Sequence, residues 1–192
     1  MTDIVQIDQA VTLWINQLDT PALYPLWMAL SDAKIWFPAY AIVMGFIIWK
    51  LGWKKGLLVC LSLILCVVLT DQLSGVVKGG VTRLRPCYNT WMVENGVIMP
   101  YGQVGHLYGF FSSHAANVFG FAAASSLGLS FNGKAVPAYV WGVYIWASLV
   151  SLSRIMMAAH FLGDILVGVA FGLCIGVVLA ILTRLLIKAF RL

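Results

Sequence analysis

The sequence predicts an all-α integral membrane protein: a transmembrane helical bundle with about five spans plus an N-terminal amphipathic interfacial helix. Of its 192 residues, 61% are hydrophobic and 10% are charged, whereas about a quarter of a soluble domain is charged. Several apolar runs come close to the roughly 20 residues that cross a bilayer core. Because no polar or Pro/Gly/Ser-rich linker divides the chain, we expect a single domain over residues 1–192.

Within the N-terminal interfacial segment, residues 1–33, the first 20 or so residues are amphipathic and too polar to span a bilayer. Its apolar residues recur at the three-and-four spacing of one helix face, and they are Ile4, Ile7, Val11, Trp14 and Leu18. We therefore expect a helix that lies in the membrane interface. Pro21 and Pro25 interrupt the chain after it, and Asp32 is placed to cap the next helix.

Five apolar runs predict the spans of the bundle. They cover, approximately, residues 35–49, 56–77, 113–131, 135–152 and 165–182. The first run is short for a bilayer. A long outer loop, residues 79–110, separates the second run from the third and is rich in glycine, polar and aromatic residues.

The basic residues predict the orientation of the bundle. In a five-span topology, one group of them shares the side that the positive-inside rule makes cytoplasmic: Lys50, Lys54, Lys55, Lys134, Arg184, Lys188 and Arg191. A second group opposes the usual bias and lies on the other side: Lys34, Lys78, Arg83, Arg85 and Arg154. We therefore expect a protein of the cell inner (cytoplasmic) membrane, with a functional site that faces the periplasm or exterior.

The charge pattern disfavours two kinds of partner. The formal net charge of +5 is compatible with nucleic acid binding, but the cations lie at the ends of spans, so we expect no nucleic-acid partner. The seven acidic residues do not cluster in the sequence. Because a two-metal site normally needs several converging carboxylates, we expect no metal ion and no cofactor.

The first polar cluster of the outer side covers residues 78–86. Lys78 and Arg85 are seven positions apart, or two turns along one face of a helix. Glycines between them allow the backbone to approach a ligand, and cations combined with glycine amides suit a phosphate. A basic juxtamembrane patch that binds anionic lipid head groups is the alternative.

The second cluster comprises Ser112, Ser113 and His114, immediately before a predicted span. Serine hydroxyls and backbone N–H groups at a helix N-terminus form an anion site. An ordinary serine N-cap beside an interfacial histidine is the alternative interpretation.

The third cluster sets Arg154, His160 and Asp164 between two apolar runs. His160 and Asp164 are four residues apart, so on a helix they would share a face and the carboxylate could accept a hydrogen bond from the imidazole. A purely structural His–Asp pair is the alternative. Ionisable groups at a membrane edge favour a functional role.

Together the three clusters suit phosphoryl transfer. His160 would be the nucleophile, oriented by Asp164. His114 would protonate the leaving group and then act as a base toward water. The remaining residues would neutralise the oxygens of the transferring group, and they are Lys78, Arg85, Arg154, Ser112 and Ser113.

The order and spacing of these residues resemble the signature motifs of the type 2 phosphatidic acid phosphatase superfamily, membrane lipid phosphatases akin to vanadium haloperoxidases. The first motif, Lys, six residues, then Arg-Pro, is matched by Lys78, Arg85 and Pro86. The third motif, Ser-Arg, five residues, His, three residues, Asp, is matched by Ser153, Arg154, His160 and Asp164.

The second motif of the superfamily is usually Pro-Ser-Gly-His, and here it is Phe111-Ser112-Ser113-His114. The serine and histidine match, while the proline and glycine are replaced. The resemblance covers about residues 30–180. It implies a helical bundle and a metal-independent phosphatase with the residue roles given above. Members of the superfamily often have six spans, and here the N-terminal amphipathic segment would replace the first.

The resemblance also implies a substrate class, a membrane lipid phosphate whose tail stays in the bilayer while its phosphate lies at the outer interface. Undecaprenyl diphosphate fits if the protein is bacterial. The alternatives are phosphatidylglycerol phosphate, phosphatidate, the phosphates of lipid A, and a phosphotransferase in which a lipid alcohol replaces water. A small membrane transporter would require repeats or paired broken helices, and the sequence has no convincing example of either.

Overall fold

The computed structural model describes residues 2–103, 105–133 and 136–191. Within these ranges the chain forms eight α-helices and four 3₁₀ turns and contains no extended strand, which confirms the all-α class. The α-helices are α1 Thr2–Asn16, α2 Tyr24–Ser31, α3 Phe37–Leu51, α4 Trp53–Val81, α5 Thr90–Glu94, α6 Ser113–Leu129, α7 Pro137–Met156 and α8 Leu162–Ala189. The 3₁₀ turns are Pro21–Leu23, Ala33–Trp36, Pro86–Tyr88 and Ser130–Asn132.

The five predicted apolar runs correspond to α3, α4, α6, α7 and α8. Three segments of the described chain are long and apolar enough to cross a membrane: Ala33–Leu51, Trp53–Val81 and Leu162–Ala189. The helix α6 has 17 residues and is shorter than these three segments. It is central in the bundle, packed along α8 and against α4 and α7, with most of its residues buried. A membrane-embedded helical bundle is therefore confirmed, while the number of spans stays a prediction.

The helices α4 and α8 extend beyond the apolar runs that predicted them. The helix α8 continues past residue 182 to Ala189 and carries Arg184 and Lys188 in its final turns. Long cationic side chains can keep their charges in water while their stems lie along apolar surface, so the hydrophobic run ends before the helix does. Lys134 and Ala135, used in the orientation and span predictions, lie outside the described residues.

The helices α6 and α8 make the closest contact in the bundle. Gly168, Gly172 and Gly176 of α8 form a row with a spacing of four, facing α6. A Cβ atom at Gly168 would lie 2.6 Å from the carbonyl oxygen of Ser112, and a Cβ atom at Gly172 would collide with the backbone of Ala116. Small residues at this spacing let two helix backbones approach within a membrane. The row thereby brings the N-termini of α6 and α8 together.

The helix α1 turns its apolar face outward. Ile4 and Trp14 are 74% and 64% exposed, whereas Thr12 and Asn16 are fully buried. The predicted amphipathic helix is confirmed as a helix, and its location in the membrane interface stays a prediction. Asp32 caps the 3₁₀ turn before α3 as predicted, since its Oδ1 accepts a hydrogen bond from the backbone N–H of Lys34 at 2.9 Å.

Candidate active site

The three polar clusters meet at one end of the bundle, around His160. Lys78 comes from the last turn of α4, and Arg85 from the segment that follows it. His114 belongs to the first turn of α6, Arg154 to the last turn of α7, and His160 to the link between α7 and α8.

Lys78 and Arg85 do not line one helix face, so that prediction was wrong. The helix α4 ends at Val81 because Thr82 takes a left-handed backbone conformation with φ 51°. The chain then runs extended beside residues 107–109, where the N–H of Arg85 donates to the Leu107 carbonyl at 3.1 Å and the N–H of Gly109 donates to the Arg83 carbonyl at 2.8 Å. This short antiparallel contact, rather than helical periodicity, carries Arg85 to the site.

The guanidinium of Arg85 is buried and held by backbone oxygens. Its Nε donates to the His106 carbonyl at 2.6 Å, and its Nη1 donates to the Ala159 carbonyl at 3.1 Å. The same Nη1 lies 3.3 Å from Nε2 of His160. Because a guanidinium only donates hydrogen bonds, Nε2 is the acceptor and the imidazole proton lies on Nδ1.

His160 and Asp164 are neighbours, but not on a shared helix face as predicted. His160 precedes α8, and its Nδ1 lies 3.6 Å from Oδ2 of Asp164, too far for a hydrogen bond. Asp164 instead accepts hydrogen bonds from Nη1 of Arg83 at 2.7 Å and from the N–H of Phe161 at 3.1 Å. His160 and Asp164 do not share a helix face because α8 begins after Phe161, and the Asp164 carboxylate caps this helix by accepting the hydrogen bond from the Phe161 N–H.

The backbone of Gly109 packs directly against this cluster. A Cβ atom at this position would lie 3.1 Å from Cγ of Arg85, 3.3 Å from Oδ2 of Asp164 and 3.4 Å from Nδ1 of His160. The backbone of residue 109 therefore approaches all three functional groups, and only glycine allows this approach without displacing one of them.

The surroundings of His160 keep its imidazole neutral. Burial lowers the pKa of His160 well below its usual 6.5, and the charges of Arg154, Arg85 and Lys78 lower this pKa further, against an opposing hydrogen bond with the Gly109 backbone. A neutral imidazole with an unprotonated Nε2 is the form that can attack an electrophile.

The two serines of the second cluster have different environments. Ser112 is fully buried and caps α6, with its Oγ accepting from the N–H of Ala115 at 3.3 Å. Ser113 accepts a hydrogen bond from Nζ of Lys78 at 3.0 Å. The structure therefore joins Ser113 to a cation of the site, whereas the hydroxyl of Ser112 serves the helix end.

Arg154 supplies a buried donor without a hydrogen-bond partner among the described residues, its Nε. Its carbonyl accepts from the N–H groups of Ala159 and His160 at 2.9 and 3.2 Å, which shapes the turn that carries His160. Buried donors are normally satisfied, so this guanidinium has capacity for an anion.

His114 lies between this cluster and an apolar cavity of about 500 Å³. It is within electrostatic range of Arg154, His160 and Lys78. The cavity lies between α3, α4 and α6, and its lining includes Tyr40, Leu63, Val67 and Phe121. Among the described residues, no three His, Cys, Asp or Glu side chains converge as they would in a metal site.

The sequence patterns gave Asp8 no role, and they placed Arg83 on the outer side without including it among the phosphate-binding residues. In the structure Arg83 bridges two carboxylates, with Nη2 at 2.6 Å from Oδ2 of Asp8 and Nη1 at 2.7 Å from Oδ1 of Asp164. The available signal was the spacing of Asp8, Thr12 and Asn16, four residues apart on the face of α1 opposite its apolar residues.

The sequence and the fold are both similar to those of known proteins. The family model described as PAP2 superfamily matches residues 55–188. The lipid A 4'-phosphatase of Porphyromonas gingivalis is 29% identical over 177 residues, which cover 92% of this chain and 72% of that protein. The lipid A 4'-phosphatase of Bacteroides thetaiotaomicron is 28% identical over 167 residues, covering 86% and 72%.

Two crystal structures share the fold. The PAP2-type phosphatidylglycerolphosphate phosphatase of Bacillus subtilis superimposes with a TM-score of 0.69 at 20% identity, covering 98% of this chain and 88% of that chain. LpxE of Aquifex aeolicus superimposes with a TM-score of 0.62 at 18% identity, covering 88% and 92%.

Proposed function

The chain belongs to the PAP2 superfamily and is a membrane lipid phosphatase, and from this premise we propose that it hydrolyses a phosphate monoester of a lipid A-type glycolipid through a phosphohistidine at His160. The observation that carries the mechanism is the 3.3 Å contact between Arg85 Nη1 and His160 Nε2. It supports an unprotonated nucleophile that already faces a phosphate-binding cation.

In the first step, the Nε2 lone pair of His160 attacks phosphorus as the bond from phosphorus to the lipid oxygen breaks. When the phosphate anion of the substrate offsets the charges of the nearby cations, His114 is protonated, and it gives this proton to the departing alkoxide, which leaves as the lipid alcohol. The imidazole becomes positively charged, and the carboxylate of Asp164, 3.6 Å from Nδ1, stabilises that charge.

In the second step, water replaces the imidazole at phosphorus. The deprotonated His114 now accepts a proton from the attacking water, and the N–P bond electrons return to Nε2. Inorganic phosphate leaves and both histidines recover their starting states.

The cations of the site stabilise the transferring phosphoryl group. Its negative charge is spread over three equatorial oxygens in the transition state. We assign these oxygens to Lys78, Arg85 and Arg154, with Ser113 as a further donor. The buried Nε of Arg154, which has no hydrogen-bond partner among the described residues, supports this assignment. Ser112, predicted as a phosphate ligand, contributes through the helix end that it caps.

The proposed substrate class rests on the two curated relatives, both of them lipid A 4'-phosphatases aligned over most of this chain. The apolar cavity beside His114 is compatible with a substrate that keeps acyl chains in the bilayer. Neither of these relatives is named for undecaprenyl diphosphate, the first expectation from the sequence. That lipid therefore enters the test as a competitor.

We also propose that the site faces the periplasm or exterior from a cytoplasmic membrane. Lys78 ends α4 and His160 precedes α8, so the site lies at one end of both helices. Lys54 at the start of α4 and Lys188 at the end of α8 lie toward the opposite end. The positive-inside rule assigns that end to the cytoplasm.

Phosphate release from a lipid panel in detergent tests the function. The panel comprises lipid A, undecaprenyl diphosphate, phosphatidylglycerol phosphate and phosphatidate, with His160→Ala as the control. We expect the highest kcat/KM for lipid A and no activity in the variant. A preference for another lipid contradicts the substrate, an active variant contradicts the nucleophile, and a new phospholipid without free phosphate identifies a phosphotransferase.

A further inference from the structure

The helix α1 is attached to the rest of the protein through a row of polar side chains. Its most extensive contact is Asn16, whose Nδ2 donates to the carbonyls of Ile98 and Ile155 at 3.0 and 3.1 Å. The Oδ1 of Asn16 accepts from the N–H of Ile98 at 2.7 Å. One turn earlier, Thr12 Oγ1 accepts from the N–H of Leu162 at 2.9 Å.

Asp8, one turn before Thr12, extends this row to the start of α8, next to the link that carries His160. Its Oδ1 accepts from the N–H of Gly163 at 2.8 Å, and its Oδ2 pairs with Nη2 of Arg83 at 2.6 Å. The fit is close, because a Cβ atom at Gly163 would lie 2.7 Å from Asp8 Oδ2. Asp8 therefore holds both the start of α8 and the guanidinium of Arg83.

Arg83 connects Asp8 to Asp164, the carboxylate that lies beside His160. Its second nitrogen, Nη1, pairs with Asp164 at 2.7 Å, and the guanidinium stacks over the ring of Phe161 at 4.2 Å from its centroid. A guanidinium is planar with donors in a fixed fork, so fixing Nη2 also fixes the direction of Nη1. The other carboxylate oxygen of Asp164 then faces Nδ1 of His160.

We propose that Asp8 is a positioning residue of the phosphatase site, acting through Arg83 and Asp164 on the orientation of His160. The inference rests on the proposed role of His160 as nucleophile. Asp8 contacts no reacting atom. Its carboxylate restricts the partly exposed Arg83 side chain to the rotamer that keeps Asp164 beside the imidazole.

Thr12 offers a matched control for Asp8. If α1 only supported the fold, substitutions at Thr12 and at Asp8 would have similar effects on kcat. Thr12 and Asp8 lie one turn apart on α1 and accept from adjacent amides, those of Leu162 and Gly163. Asp8 alone of the two pairs with Arg83. Thr12→Val removes one docking hydrogen bond at almost constant volume and leaves the Asp8–Arg83 pair in place.

The test measures kcat, KM and Tm of the full-length protein in detergent with the best substrate of the lipid panel. Asp8→Asn should lower kcat on the order of 10-fold or more, because small misplacements of a reacting group cost this much, with little change in KM. Thr12→Val should keep kcat within about twofold while lowering Tm as Asp8→Asn does. Asp8→Glu, which retains the carboxylate, should recover part of kcat.

A second comparison tests the route through Arg83. Asp8→Asn should cause no additional loss of kcat in an Arg83→Gln background, because the link is already broken. Equal kcat losses in Asp8→Asn and Thr12→Val, or independent losses for Asp8 and Arg83, overturn the inference while leaving the proposed function intact. A wild-type protein inactive on every lipid phosphate of the panel instead contradicts the proposed function, and the inference with it.

Discussion

Nη1 of Arg85 lies 3.3 Å from Nε2 of His160, and carbonyl oxygens of His106 and Ala159 fix the guanidinium in that position. The contact determines the tautomer, because Nε2 must accept. It also means that an arriving phosphate meets the cation and the lone pair at the same place. Arg85 would then exchange its contact with the imidazole for one with a phosphoryl oxygen.

Arg85→Lys should therefore lower kcat/KM by on the order of 100-fold, the usual cost of losing one oriented donor to a transition state. An ammonium has no planar fork and cannot serve two carbonyls and a phosphate oxygen in the same geometry. Arg184→Lys is the matched control, since Arg184 is exposed and lies in the final turns of α8. Phosphate release close to the wild-type rate in Arg85→Lys contradicts this role.

The lowered pKa of His160 predicts a pH dependence of stability. The unfolded imidazole takes up a proton below about 6.5, whereas the buried one beside three cations does not. The neutral imidazole of His160 therefore makes its full contribution to the free energy of unfolding above pH 6.5. That contribution is lost as the pH falls from 6.5 toward the lower pKa of His160 in the folded protein.

Thermal unfolding in detergent between pH 7.5 and pH 5 measures this effect. The Tm of the wild type should fall more steeply across this window than the Tm of His160→Gln, which has no titrating group at the position. Parallel pH profiles for the two proteins contradict a lowered pKa.

Gly172→Ala should destabilise the bundle by about 1–3 kcal/mol, the usual cost of overpacking a close interface. Its methyl group would collide with the Ala116 backbone where α6 and α8 meet. Gly45→Ala in α3 is the control, because nothing lies within 4 Å of its Cβ position, and alanine favours helix there. Equal Tm values for the two variants contradict a close α6–α8 contact.

Activity should survive EDTA. The donors gathered around His160 are cationic, and the described residues contain no cluster of three or more metal-ligating side chains. Orthovanadate should inhibit, since it takes the trigonal-bipyramidal geometry of the transition state and would bind His160. Activity lost to EDTA and restored by magnesium contradicts the metal-independent mechanism, as does insensitivity to millimolar vanadate.

Features that depend on residues close together along the chain were predictable from the sequence. The apolar runs appear as α3, α4, α6, α7 and α8, and both Asp32 and Ser112 accept the backbone hydrogen bonds expected of capping residues. The clusters containing Lys78, His114 and His160 also meet, as motif spacing implied.

Features set by tertiary structure were not predictable from periodicity. The seven-residue spacing of Lys78 and Arg85 assumed a continuous helix, but Thr82 leaves the helical conformation and the 107–109 segment pairs with the chain beyond it. The Asp8–Arg83 pair joins residues 75 positions apart. Its existence depends on how α1 docks, which the spacing of polar residues within α1 does not specify.

The most direct test of a phosphohistidine mechanism is the isolation of the phosphorylated protein. Turnover of ³²P-labelled substrate is quenched in alkali, which preserves phosphohistidine, and the labelled peptide is sequenced by mass spectrometry. We predict label on His160 in the wild type and its complete absence in His160→Gln. Phosphate release without any labelled protein, or label on another residue, would contradict His160 as the nucleophile.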